Sequence, residues 1–554
     1  MKNKKRIYRV LIGLLLCICA LIIYVAIAIH VNPPKPKSVA CLNLVRTQID
    51  TNCYKIGNNW IRKSNSGLWE MYVEGSPFEI GVISGKLSKE LVQKQEAAFA
   101  DQINNLIPSK FYRHFLKYFI GVFNRNLEHN LTEEEKLEIY GVSLAASPQF
   151  NYIGSPYQRM MNYHAAHDIG HALQNLALVG CSSFSTWNSK SKDSILLTGR
   201  NFDFYVGDKF AEDKIVFFCN PDKGYKFMYI TWGGFTGVVS GMNINGLSVT
   251  LNASKSNIPT GSATPVSLIG REILQYAKNI DEAFEIAKKR KSFVSESFMI
   301  SSALDNKTII IEKTPQITTL AEPINDVIIC TNHYQSKILK NTSINKEQME
   351  QSASVYRFER IKELLDKSPL NSPQITANIL RNQLGKNDSF IGYGNEKAIN
   401  QLICHHSIIF DCKHKIVWVS TNPFQLGQYI SYDLKQIFKN NVTFKNEEIK
   451  LSTQTILPDN FLLSEDYKSF LIFRNQKQLA LLGKEINIKS ILLSNPAYYD
   501  TYVIVGNEFM KKKEFKKAKQ YFEIALTKEI ATEIETDYIK AKIIVCEKEL
   551  ANEQ

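Results

Sequence analysis

The chain has 554 residues, too many for one small domain, and its 44% apolar content suits a packed core and excludes wholesale disorder. Its net charge of +13 is spread as lysine along the chain. No arginine-rich stripe interleaved with aromatics occurs, so nucleic-acid binding is not expected; the excess charge suits an anionic membrane surface better.

In chain order, Lys4, Lys5, Arg6 and Arg9 precede an uncharged run from Val10 to Ile29. A helix of about 20 such residues spans a bilayer, so residues 1–30 read as a signal anchor. The positive flank stays in the cytoplasm, which places everything beyond His30 outside it, in a periplasm or at a cell surface. Ala26-Ile27-Ala28 is also an acceptable cleavage pattern, and secretion after cleavage is the alternative. Residues 31–67 read as a Pro-rich stalk and linker. Cys41 and Cys53 are close enough in sequence for a disulfide in an oxidising compartment.

From Leu68 to Pro77 the pattern is strand-like, then helical to about Ile107, with Glu79, Gly81 and Gly85 at its start. Phe111 to Asn126 is aromatic and helical. Thr132 and Glu135 form a capping box that opens another helix. Tyr163 to Leu178 reads as a helix with His164, His167 and His171 on one face. Such a face can hold a metal, but no Glu completes an H-E-x-x-H pattern and core histidines are the plain alternative. No metal and no cofactor is expected.

Next come two apolar runs, Cys181 to Trp187 and Ile195 to Phe204, joined by the polar turn Asn188 to Ser194. They read as a hairpin that sets Cys181 opposite Asn201 and near Arg200 and Asp203. A guanidinium beside a thiol favours the reactive thiolate. Downstream, Asn243-Ile244-Asn245-Gly246 is a tight-turn signal before a strand ending at Asn252. Alternating strands and helix pairs then continue to about residue 435, a layered pattern of sheets with helices outside. Cys404, His405, His406, Cys412 and His414 fall on two strands with alternating faces, and no metal site is read there. Residues 440–495 read as a connector. Residues 496–554 resemble a tetratricopeptide-like helical hairpin around Lys512-Lys513-Glu514, a small appendage where a protein partner could bind.

Gly180-Cys181-Ser182-Ser183-Phe184, Gly199-Arg200-Asn201-Phe202-Asp203, Gly241 to Leu247 and Thr331-Asn332-His333 together resemble the N-terminal-nucleophile (Ntn) cysteine hydrolases. The nearest group is peptidase family C45, the acyl-coenzyme A:6-aminopenicillanic acid acyltransferases, related to choloylglycine hydrolases and acid ceramidase. The resemblance covers about residues 68–435. It implies an α+β fold, an αββα sandwich of the Ntn-hydrolase type, with residues 181–439 as catalytic core and 68–180 as pro-segment or α-subunit. It also implies self-cleavage between Gly180 and Cys181. By the same resemblance Cys181 is the nucleophile, and Arg200 and Asp203 support the thiolate and the new α-amine. Asn252 and Asn332 contribute to the oxyanion site, and Arg357 matches a distal arginine. An α-amine titrating near pH 8 can take a thiol proton, and it exists only once the preceding bond is cut. The expected activity is amide hydrolysis or acyl transfer through an acyl-Cys181 intermediate, on a small acyl substrate of lipid-like type. The alternative is a catalytically idle, membrane-tethered scaffold.

Overall fold

In the computed structural model of the chain, the structure describes residues 2–107, 109–173, 180–204, 207–439 and 449–553. The strands, in chain order, are β1 (Thr47–Asp50), β2 (Cys53–Ile56), β3 (Asn59–Lys63), β4 (Trp69–Gly75), β5 (Ser182–Thr186), β6 (Leu197–Phe202), β7 (Ile215–Pro221), β8 (Phe227–Thr231) and β9 (Ser240–Asn243). They continue with β10 (Leu247–Ser254), β11 (Ser295–Ser302), β12 (Lys307–Lys313), β13 (Thr318–Ala321), β14 (Val327–Cys330), β15 (His406–Asp411), β16 (Ile416–Ser420) and β17 (Tyr429–Asp433). Eleven form one sheet in the order β1-β2-β3-β4-β7-β8-β9-β10-β11-β12-β13, and six form a second, β14-β5-β6-β15-β16-β17. Every pairing is antiparallel except β4 with β7.

Side-chain alternation explains the layering, because successive residues of a strand face opposite sides. In β7, Ile215 and Phe217 face one apolar core while Val216 and Phe218 face another. In β12, Ile309 and Ile311 divide from Ile310 in the same way. The shared core between the sheets takes Met228, Met299 and Ile310 from one side and Ile408, Val417 and Ile430 from the other. The outer face of the small sheet, with Phe184, Ile409 and Trp418, packs against helices of residues 354–380.

The helices before the small sheet are α1 (Lys2–Ala28), α2 (Pro77–Leu87), α3 (Lys89–Leu106), α4 (Lys110–Phe123), α5 (Glu133–Ser143) and α6 (Pro156–Leu173). Within and after the sheets come α7 (Asp208–Ala211), α8 (Val266–Tyr276), α9 (Ile280–Lys289), α10 (Ser343–Gln351), α11 (Ser354–Lys367), α12 (Pro373–Leu380) and α13 (Leu434–Ile437). The last five are α14 (Glu465–Leu481), α15 (Ile488–Ser494), α16 (Tyr499–Lys511), α17 (Phe515–Leu526) and α18 (Glu533–Asn552). Helices α2, α5, α6, α8 and α9 cover the outer face of the large sheet. α2 and α5 meet backbone to backbone, since a Cβ on Gly141 would lie 2.7 Å from the Phe78 carbonyl oxygen. The Thr132–Glu135 capping box opens α5 as read. Among the described residues, α1 is the one helix long and apolar enough to cross a membrane, with a mean hydropathy of 3.2 and no burial against the rest.

Several expectations change. The stretch read as stalk and linker contributes β1, β2 and β3 to the large sheet, with Trp60 and Ile61 buried. Cys41 and Cys53 are both buried free thiols, with no disulfide between them. The expected connector holds α14 and α15, whose Phe470, Phe473 and Ile491 share one core with Tyr498, Phe509 and Phe522. The loop before β15 holds this unit at two points: the Tyr393 hydroxyl donates to Asp466 of α14 at 2.8 Å, and Asn395 donates to the Glu529 carbonyl, between α17 and α18, at 2.9 Å. Residues 440–448 of that connector lie outside the described residues, as do 174–178 of the expected histidine helix.

Candidate active site

The hairpin β5–β6 forms, but its register differs by one residue from the expected one. Ser182 pairs with Asn201 and Ser183 with Arg200, which puts Cys181 just beyond the ladder. The turn explains the slip: Asn188, Asp193 and Ser194 all have positive φ, so the loop is two tight turns and not a symmetric reversal. A one-residue slip exchanges the faces of a strand. The observed register leaves the Arg200 side chain on the face that meets the large sheet, with Cys181 within its reach.

Arg200 is fully buried, and its Nη2 lies 3.7 Å from the Cys181 Sγ. The guanidinium is fixed by donation to the Val239 carbonyl at 3.0 Å, to the Leu251 carbonyl and to the Ser240 hydroxyl. β9 and β10 therefore clamp it in place. The thiolate expected from this pairing is not the resting state. Burial pushes the Cys181 thiol up, and the pull of Arg200 does not overcome it because Asp203 and Glu296 push the same way. Cys181 also shares an apolar cluster with Phe202, Phe204, Phe210, Trp232 and Phe235.

Asp203 is fully buried, and neither carboxylate oxygen has a nitrogen or oxygen donor among the described residues. Burial raises its pKa to about 7, against the opposing pull of Arg357 and Arg200. Its backbone carbonyl accepts from the Gly180 N–H at 3.0 Å, tying this corner to the residue before Cys181.

Arg357, on α11, is the centre of the hydrogen bonding here. Its Nη1 donates to the carbonyls of Gly180 at 2.8 Å and Cys181 at 2.6 Å, and to the Ser182 hydroxyl at 2.9 Å. Its Nη2 donates to Asn332 Oδ1 at 2.7 Å. Burial lowers its pKa to about 10, which still leaves it charged at neutral pH.

The two asparagines stand differently. Asn332 Nδ2 donates to the Ala253 carbonyl at 2.8 Å, beside Arg357. Asn252 accepts from the Ser183 hydroxyl at 2.8 Å and donates to the Cys330 carbonyl at 3.0 Å, so these hydrogen bonds run to neighbours of Cys181 and not to the thiol. Each carboxamide spends one N–H on a backbone carbonyl and has a second to give.

One residue at this corner escaped the sequence reading. Gln401 Nε2 donates to the Gly180 carbonyl at 2.8 Å, so that oxygen takes two side-chain donors, Gln401 and Arg357. A side chain at position 180 would collide with Gln401: its Cβ would lie 2.7 Å from Oε1 and closer still to Nε2. A glutamine in a loop carries no periodic or spacing signal, and nothing in the sequence marks it.

A cleft of about 1060 Å³ opens beside Gly180, Asn332, Arg357 and Gln401. Its far wall includes Phe470 and Phe473 of α14 and Tyr498, so the C-terminal helices shape it. Of the histidine face read on α6, His164 alone has a described side chain, and it is engaged elsewhere. His164 is buried, bonded to the Met160 carbonyl at 2.7 Å and the Thr236 hydroxyl at 2.9 Å, and burial lowers its pKa to about 4. The side chains of His167 and His171 lie outside the described residues. His414 pairs with Asp411 at 2.7 Å, while His406 faces Ser240 at 2.9 Å.

Comparison with known proteins finds similarity over part of the chain. Residues 187–424 match the model of the acyl-coenzyme A:6-aminopenicillanic acid acyl-transferases. The chain resembles that family over this stretch, which is under half of its length. The matched region starts after Cys181 and takes in Arg200, Asp203, Asn252, Asn332, Arg357 and Gln401. An uncharacterized protein of Archaeoglobus fulgidus is 25% identical over 267 residues, 46% of this chain and 44% of that protein. The chain thus spans less than half the length of that relative. Solved structures with similarity include a Caenorhabditis elegans ortholog of N-acylethanolamine-hydrolyzing acid amidase, at 15% identity over 42% of this chain and 93% of that one, TM-score 0.30. A variant of conjugated bile acid hydrolase from Clostridium perfringens aligns at 14% identity over 49% and 98%, TM-score 0.32. Penicillin V acylase from Agrobacterium tumefaciens aligns at 11% over 46% and 87%, TM-score 0.30.

Proposed function

We propose that the protein is a self-processing cysteine Ntn-hydrolase of the αββα type, an amide hydrolase or acyltransferase working through an acyl-Cys181 intermediate. The observation that carries this reading is the Gly180 carbonyl, held by Arg357 and Gln401 beside a thiol that Arg200 contacts. In the first step the Cys181 sulfur attacks that carbonyl. Negative charge builds on the oxygen, where a cationic and a neutral donor are already in place. The C–N bond breaks, the nitrogen takes the thiol proton and becomes the α-amine of Cys181, and water then hydrolyses the Gly180 thioester.

The freed amine answers two features of the uncut chain. It gives the Asp203 carboxyl, which has no N–H or O–H donor among the described residues, a cationic partner, and it supplies the base that a buried, neutral thiol lacks. In turnover the same thiol attacks a substrate acyl carbonyl, and Arg357, Asn332 and Asn252 are the donors for the resulting oxyanion. The aromatic cluster around Cys181 suits an apolar acyl group. Residue α1 to the membrane is the tether in this reading, with the catalytic part outside the cytoplasm and the cleft walled by the C-terminal helices.

Purified protein is expected to run as two fragments under denaturing conditions, the second beginning at Cys181, while Cys181→Ala stays whole. A wild-type chain that remains intact and active on no acyl amide would defeat the reading. Cleavage of Cys181→Ala at the same bond would assign the cut to another protease.

A further inference from the structure

Helix α4 takes no part in the proposed chemistry, yet its outer face is strongly apolar. Phe111, Tyr112, Phe115 and Phe119 are 79%, 66%, 62% and 53% exposed. Positions 111, 115 and 119 are four apart, so they form one stripe along the helix. No acidic residue occurs from Gln102 to Leu127, whereas Lys110, Arg113, Lys117 and Arg125 do. The opposite side of the helix is tied to the body, where Lys117 Nζ donates to the Tyr152 carbonyl at 3.1 Å.

The position of the stripe says what it meets. α1 ends at Ala28, and the next residue, Ile29, touches α4: a Cβ on Gly121 would stand 2.5 Å from Ile29 Cγ2. Gln158 of α6 donates to the Ile29 carbonyl at 2.7 Å. The exit of the apolar helix is therefore held by both α4 and α6. At about 1.5 Å rise per residue, Phe119, Phe115 and Phe111 lie about 3, 9 and 15 Å along α4 from that contact.

We propose that α4 is an interfacial helix that seats Phe111, Phe115 and Phe119 in the headgroup–acyl boundary of an anionic bilayer crossed by α1. Aromatic side chains favour that boundary, and the basic, acid-free stretch that carries them favours an anionic surface. The inference rests on α1 being embedded, but not on the chemistry at Cys181. It gives the body a second point of membrane contact and so fixes its tilt.

The test uses the full chain reconstituted in vesicles of phosphatidylglycerol and phosphatidylcholine, with and without bromine on the acyl chains. Flotation with the vesicles reports on α1, and the emission of Phe115→Trp, over the wild-type background, reports on α4. Phe390→Trp, on an exposed site far along the chain, is the control. The expected result is at least about twofold quenching of Trp emission from Phe115→Trp by brominated lipid, weaker without phosphatidylglycerol, and none from the control. Chains that float while Phe115→Trp is unquenched would overturn the inference and leave the tether standing. Protection from aqueous iodide that depends on protein density, without lipid quenching, would assign the face to a second copy and also overturn it.

Discussion

Asp203 brings a pH dependence to the site. Its pKa of about 7 in the folded chain lies above the ordinary 3.8, so between those values the folded state holds a proton that the unfolded state has released. Its contribution to stability is full below 3.8 and is lost as the pH rises through about 7. In the uncut Cys181→Ala chain, Asp203→Asn is therefore expected to stabilise the fold above neutral pH, by about a few kcal/mol at most, and to lose that advantage as the pH falls toward 4. Thermal scans across pH check this, and a pH-independent difference would contradict it. Gln401 belongs to the same scale. Removing one donor from an oxyanion site typically costs about 10²–10³ in rate, so Gln401→Met should slow the appearance of the Cys181 fragment by about that factor. Cleavage at the wild-type rate in a correctly folded Gln401→Met chain would remove Gln401 from the mechanism.

Among the elements, β3 and β4 are joined by a buried ion pair, Arg62 Nε to Glu70 Oε2 at 2.8 Å, and Tyr432 of the small sheet donates to the other Glu70 oxygen at 3.0 Å. Breaking such a pair from one side strands a buried charge, whereas replacing both partners is often neutral. Glu70→Ala should therefore cost about 3–5 kcal/mol in denaturant unfolding, and Arg62→Met with Glu70→Met should recover most of it. Equal losses in both variants would show that packing, and not charge, decides the site. The strands that were legible in the sequence are those with unbroken apolar runs: β15 and β16 lie where Ile408-Ile409-Phe410 and Val417-Trp418-Val419 place them. β1 to β3 were not, because polar residues interrupt each of them and they follow a proline-rich opening, even though Gly57-Asn58 marks the β2–β3 turn. The motif residues around Cys181 were legible by type and order. The hairpin register and Gln401 were not, because one depends on the geometry of a loop and the other on a contact between positions 180 and 401.

For the whole molecule, the pairing of β4 with β7 is decisive. Residues Trp69 to Gly75 align in parallel with Ile215 to Pro221, and α2, α5 and α6 share the core beneath the same sheet. A cut at Gly180 would leave these contacts intact, so both fragments should co-elute under native conditions and separate only when denatured. The same pairing has a consequence for the protein's lifetime. Before the cut, β4 finds β7 as part of its own chain; after it, the two must meet as separate molecules. Recovery from unfolding would then slow with dilution for the cut protein and not for Cys181→Ala, a difference that refolding at two protein concentrations can read. A single severed bond would thus make the mature enzyme a product of its own history, able to persist once assembled but poorly able to be made again from its parts.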